Sequence, residues 1–156
     1  WLAHLRPQAA RVAADAGRDP ASLRWSAVGV LAMDDDRDKA RNAARAALCH
    51  FYAPLPHPYY EHTMREQGFG AAADAALKHM PAGELQAAMA AISDDCLDTL
   101  VIAGTPAECR ARIAAYKGVV DELLLLNVMP PAAGDAVLGY QNLMALPGLL
   151  SAALQA

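Results

Sequence analysis

Hydrophobic and polar positions follow more than one period along this chain, and each change of period marks an element. Residues 7–16 (PQAARVAADA) place Ala9, Val12, Ala13 and Ala16 on one stripe. That spacing predicts a helix with Pro7 in its first turn and Gly17 as a left-handed stop. Residues 24–32 (RWSAVGVLA) are almost continuously apolar and partly β-branched, the pattern of a parallel strand covered on both faces. Asp34, Asp35 and Asp36 then offer capping oxygens to a helix over about 37–52. Within it Ala40, Ala43, Ala44, Ala47, Leu48 and Phe51 fall on one side. The other side carries Arg37, Lys39, Arg41 and Arg45 and is expected to be solvated.

The segment 52–70 (YAPLPHPYYEHTMREQGFG) opens with Pro54, Pro56 and Pro58, which force an extended path before a short helix that Gly68 ends. Alanine-rich helical pieces follow over 71–79 and 84–92, the second with Leu85, Ala88, Met89 and Ile92 on one side. Together they predict a helical insertion over about 53–98, closed by a capped turn at 93–98 that leads into TLVIAG. Thr105, Pro106 and Glu108 form a T-x-x-E capping box with Pro in its preferred first position. The helix they start is expected to run to about Lys117, burying Cys109, Ile113 and Tyr116, with Gly118 as its stop. VVDELLLLNV (119–128) predicts a second fully buried strand, and a helix is expected over about 135–155.

Strands alternating with helices imply a parallel α/β fold. A right-handed crossover sets the start of the 106–117 helix, with Gly104 and Thr105, at the carboxyl edge of the sheet, where such folds bind ligands. The backbone N–H groups there are placed to hold an anion. A capping box satisfies the same donors internally, however, and the glycine pattern and following Lys of a phosphate-binding loop are missing. The cap is the stronger reading.

Composition narrows the function classes. At 156 residues, 55% hydrophobic and 19% charged, the chain is long enough for one packed domain. A net charge of −4, with 13 Lys and Arg scattered along it, disfavours a nucleic-acid or anionic membrane surface. Small molecules or proteins are the expected partners. Cys49, Cys96 and Cys109 have neither even number nor CxxC spacing, which points to a reducing, cytoplasmic setting without a disulfide framework or zinc site. His57 and His62 are five apart and do not share a helix face, so no metal site is expected. His50 and His62 are expected at the surface. No apolar run reaches the roughly 18 residues that span a bilayer, and Trp1 in place of an initiator Met suggests further sequence upstream.

Four segments in order, AADAGRDPASL, WSAVGVLAMDDDRDKARNAARAAL, FYAPLPHPYYEHTMREQGFG and DDCLDTLVIAGTPAECRARIAAYKGVVDELLLLNV, resemble the C-terminal part of the luciferase-like monooxygenase superfamily. The resemblance is greatest to its branch of oxidoreductases that use the deazaflavin coenzyme F-420. It implies a (β/α)8 TIM barrel in which 24–32 and 119–128 are the last two strands and 135–155 the closing helix. Residues 1–156 would then be a single partial domain, the barrel's C-terminal part. The implied activity of the complete enzyme is hydride transfer between F-420 and a small organic substrate, with this chain supplying scaffold and part of the pocket. The alternatives are an FMN-dependent monooxygenase using O2 and a non-catalytic half-barrel module. The catalytic residues are expected upstream.

On topology the candidates for cofactor or substrate contact are Met33 and Asp34, the loop with His57, Tyr59 and Tyr60, Gly104 and Thr105, and Asn127 to Met129. A section cut from a barrel exposes strand edges and apolar faces such as the leucine run at 123–126. Cover is expected from the remaining half of the barrel or from a homo-oligomer.

Overall fold

The structure, a computed structural model, describes residues 2–52 and 59–130. Strand β1 (Ser26–Met33) is the middle of a three-stranded parallel sheet, with β2 (Val101–Gly104) on one side and β3 (Glu122–Asn127) on the other. VIAG, the end of TLVIAG, therefore forms a strand of its own, additional to the two strands predicted. In the succession of a barrel, β3 would lie beside β2; among the described residues β1 separates them.

Asp36 starts the first crossover helix, α2 (Arg37–Tyr52), because its Oδ1 accepts from the N–H groups of Asp38 and Lys39 at 3.0 and 3.1 Å. The predicted stripe of α2 then meets the sheet. Ala44, Leu48 and Cys49 pack with Ala32 of β1 and Val101 and Ala103 of β2. The same core takes Met64 of α3 (Tyr59–Glu66), Ala72 and Ala73 of α4 (Gly70–His79), Ala88 of α5 (Leu85–Ala90) and Cys96 and Leu97 of α6 (Asp94–Leu100). Alanines at these contacts let helix backbones approach closely, while full burial of Leu48 stabilises by about 1.5–3 kcal/mol. The odd-numbered face of β1 packs differently. Leu31, with Ile102 of β2, lies against Cys109 of α7 (Pro106–Ala114), so helices cover both faces of the sheet.

Several expectations change. Helix α1 (Leu2–Asp15) begins before Pro7, which sits in its interior and forfeits a backbone hydrogen bond. Its stripe is partly open, with Ala13 buried but Val12 63% exposed. The turn at 93–98 is helix α6, capped by the Ser93 hydroxyl accepting from Cys96 N–H at 3.1 Å. Helix α7 stops at Ala114, short of Lys117, and turns follow up to Gly118 (φ 74°).

Neither long strand is covered on both faces along its length. Val28 is 74% exposed, and along β3 exposed and half-buried residues alternate, because β3 is an edge and no element lies over the amino-terminal half of the even-numbered face among the described residues.

The basic side of α2 is not uniformly solvated. Arg41 is 3% exposed; its Nη1 donates to Asp98 Oδ1 at 2.7 Å and its Nη2 reaches Asp94 Oδ1 at 2.9 Å. Arg45 also pairs with Asp94 and donates to the Ile92 carbonyl at 3.2 Å. Arg112 of α7 reaches Asp98 Oδ1 at 3.1 Å, so one carboxylate ties α2, α6 and α7 together. His50 and His62 are exposed, and the cysteines are free and buried. No helix of the described residues is long and apolar enough to cross a membrane. The helix expected over 135–155 lies outside the described residues.

Candidate functional site

The carboxyl ends of all three strands converge on one edge. Met33 of β1 is in register with Gly104 of β2, and Leu31 of β1 with Asn127 of β3. The backbone continues the pairing past the strand ends: Asp34 N–H donates to the Gly104 carbonyl at 3.3 Å and Val128 N–H to the Leu31 carbonyl at 2.9 Å. Asn127 Oδ1 accepts from Met129 N–H at 3.1 Å, which fixes the chain's exit from β3. Met33, Asp34, Gly104, Thr105 and Asn127 to Met129, all read from the sequence as pocket candidates, are thus brought to one edge.

Two ion pairs sit on this edge, where α2 and α7 both begin. Asp34 Oδ2 meets Lys39 Nζ at 2.5 Å, and its Oδ1 accepts from Asp36 N–H at 3.0 Å. The Lys39 hydrogen bond is the main reason the Asp34 carboxyl is held below its usual range; Lys39 is raised in turn. The second pair joins Arg37 Nε to Glu108 Oε1 at 2.9 Å.

Glu108 also completes the capping box. Its Oε2 accepts from Thr105 N–H at 2.8 Å and from Thr105 Oγ1 at 3.0 Å, while Thr105 Oγ1 accepts from Glu108 N–H at 3.4 Å. The Thr105 N–H first, and then Arg37, pull the Glu108 carboxyl down to about 2. Gly104 has φ 147°, and a Cβ there would lie 2.4 Å from Glu108 Oε2. The start of α7 is therefore filled by the chain's own carboxylate. A phosphate does not fit at Gly104 and Thr105, since the capping donor and the nearest cation are already engaged. What the edge presents to a ligand is the half-buried Met33 surface and the Asn127 amide.

The other candidates are placed elsewhere. Tyr59 and Tyr60 open α3, a helix packed on α4 and α2, and His57 lies outside the described residues. Among the described residues no group of three His, Cys, Asp or Glu side chains is disposed to hold a metal ion. Sequence reasoning missed the Arg37–Glu108 pair. Glu108 was legible as a cap, but its partner is 71 positions away and carries no local signal.

The sequence pattern of the family described as luciferase-like monooxygenase matches residues 2–122. The chain belongs to that family. Two curated relatives are named as reductases. A 5,10-methylenetetrahydromethanopterin reductase of Methanolobus tindarius is 30% identical over 130 residues, 83% of this chain and 37% of the relative. The enzyme of the same name from Archaeoglobus fulgidus is 31% identical over 125 residues, 80% of this chain and 36% of the relative. Among solved structures, the coenzyme F-420-dependent tetrahydromethanopterin reductase of Methanopyrus kandleri matches with a TM-score of 0.55 at 20% identity, covering 78% of this chain and 34% of that one. That likeness shows the fold: this α/β chain with its parallel sheet corresponds to part of a luciferase-like TIM barrel. The chain spans little more than a third of the length of the curated relatives it matches.

Proposed function

We propose that the complete protein is an oxidoreductase that transfers hydride between coenzyme F-420 and a small organic substrate, this chain supplying scaffold and the carboxyl-edge part of the pocket. One observation carries the reading: across four-fifths of the chain, relatives at 30% and 31% identity are named as reductases, and one solved structure of similar fold is a coenzyme F-420-dependent reductase. The cofactor's phosphate has no cradle at Gly104 and Thr105, so its anionic side chain is held by residues other than these. Met33 and Asn127 are assigned to the flank of the pocket, where they limit water and orient what binds.

The family description favours a second reading, an FMN-dependent monooxygenase. Fluorescence-quenching titrations of the complete protein with coenzyme F-420 and with FMN separate the two. Saturable quenching selective for the deazaflavin is the expected result. Preference for FMN would replace the reductase with the monooxygenase, and binding of neither would overturn both in favour of a non-catalytic module.

A further inference from the structure

Asp34 N–H closes the ladder between β1 and β2 on the Gly104 carbonyl at 3.3 Å, and beyond it the two chains part. α2 packs on the face of Ala32, whereas α7 packs on the face of Leu31. Past the strand ends, among the described residues, one ion pair joins the turn into α2 to the turn into α7, Arg37 Nε to Glu108 Oε1 at 2.9 Å. Both of its ends are anchored. Glu108 gives its other oxygen, Oε2, to Thr105 N–H and Oγ1. Arg37 is the first residue of α2, whose start Asp36 caps and whose Lys39 ties back to Asp34. As a source of stability the pair is weak, since its side chains are 48% and 43% exposed. What it controls is position, because it spans the end of the sheet where Met33 and Gly104 lie side by side.

We infer that Arg37 is a positioning residue for the bound cofactor: through Glu108 it holds the turns after β1 and β2 at one separation, so that the Met33 side of the edge is shaped before the ligand arrives. The inference rests on the reading that the cofactor, F-420 or FMN, binds at the carboxyl edge. A preformed edge leaves fewer groups to be ordered on binding. The surroundings of Arg37 argue against its being the ligand's own anion contact. Asp34, Asp35, Asp36 and Asp38 flank it along the chain, and Glu108 already holds its guanidinium.

The test uses the complete protein and follows F-420, or FMN if that is what binds, by fluorescence quenching. Arg37→Gln should weaken binding between about two- and tenfold, the cost of ordering one or two side chains at the moment of binding. Arg37→Lys keeps a cation for a carboxylate that takes a single bond from Arg37, and should return to within about twofold of the wild type. Glu108→Gln keeps an acceptor for Thr105 N–H but loses the charge. It should match Arg37→Gln, and the double variant should be no worse than either. The amides of Asp34 and Thr105 report on the two turns directly, and both should exchange faster in Arg37→Gln. Were the role merely structural, affinity would follow stability instead. Asp98→Ala is the control: it precedes β2 at the far end of that strand and removes a partner of the buried Arg41, so it should lower stability more and leave affinity unchanged. Wild-type affinity in Arg37→Gln, additive losses in the double variant, or an equal loss of affinity in Asp98→Ala would overturn the inference. A wild type that binds neither F-420 nor FMN would overturn the proposed function instead, and unchanged exchange at Asp34 and Thr105 in Arg37→Gln would overturn the tether whatever the wild type binds.

Discussion

The guanidinium of Arg41 on α2 and the carboxylate of Asp98 on α6 meet at 2.7 Å, with Arg41 almost wholly buried and Asp98 half exposed. The pair is asymmetric in consequence. Removing the carboxylate strands a buried cation with Asp94 alone, and it leaves Arg112 only its bond to the Asp98 main-chain carbonyl. Asp98→Ala should therefore cost about 2 kcal/mol, in the range of a charged hydrogen bond. Arg37→Ala, at the half-exposed pair with Glu108, should cost less than about 1 kcal/mol. Urea unfolding of the two variants checks the order; equal losses would refute the account of burial.

Acid should loosen the carboxyl edge. Glu108 sits at about 2 in the folded chain against an ordinary 4.5, so between these values the unfolded chain binds the proton more readily. The stabilisation is fully present above about 4.5 and is lost as pH falls toward about 2. Asp98, held down first by its hydrogen bond to Arg41, and Asp94, likewise by Arg41, add to the same acid limb. Glu108→Gln should flatten that limb without reversing it, measured as the urea midpoint at neutral pH and across the acid range. An unchanged slope would mean that the capping carboxylate does not titrate as its contacts require.

Gly104→Ala should destabilise by about 1–3 kcal/mol, the cost of a side chain forced into a sparsely populated backbone region. The new methyl also meets a carboxylate that Thr105 and Arg37 hold in place. In a Glu108→Ala background, itself weakened by loss of the cap and the Arg37 pair, the same Gly104→Ala step should lose its steric part and keep its backbone part. Thermal unfolding of the two single variants and the double measures the split, and a Gly104→Ala step without cost in the Glu108→Ala background would show that φ carries no strain.

Thiol chemistry gives a fourth check. Burial pushes Cys49, Cys96 and Cys109 up to about 11, and none of the three is accessible. Reaction with a thiol reagent at neutral pH should be negligible in the folded chain and should reach three equivalents in denaturant. Fast labelling of the native chain would show that the core opens around one of them.

Within a few residues the sequence is decisive. Asp36 before α2, Ser93 before α6, the Thr105–Glu108 box and the left-handed Gly17, Gly68 and Gly118 are all where the local pattern places them, because each cap or stop joins neighbours that the chain holds together in any conformation. The parallel sheet and the convergence of Met33, Gly104 and Asn127 also follow from the alternation of elements. What only the tertiary structure decides is which of several equal-looking residues find distant partners. Arg41 is buried and Arg37 is half exposed, though four positions apart they share one helix side, because α6 brings Asp94 and Asp98 to the first. β1 rather than β2 takes β3, and the leucines of β3 lie half in the open. Strand order and ion pairing join groups tens of residues apart, and hydropathy along the chain states which surfaces need cover without stating what provides it.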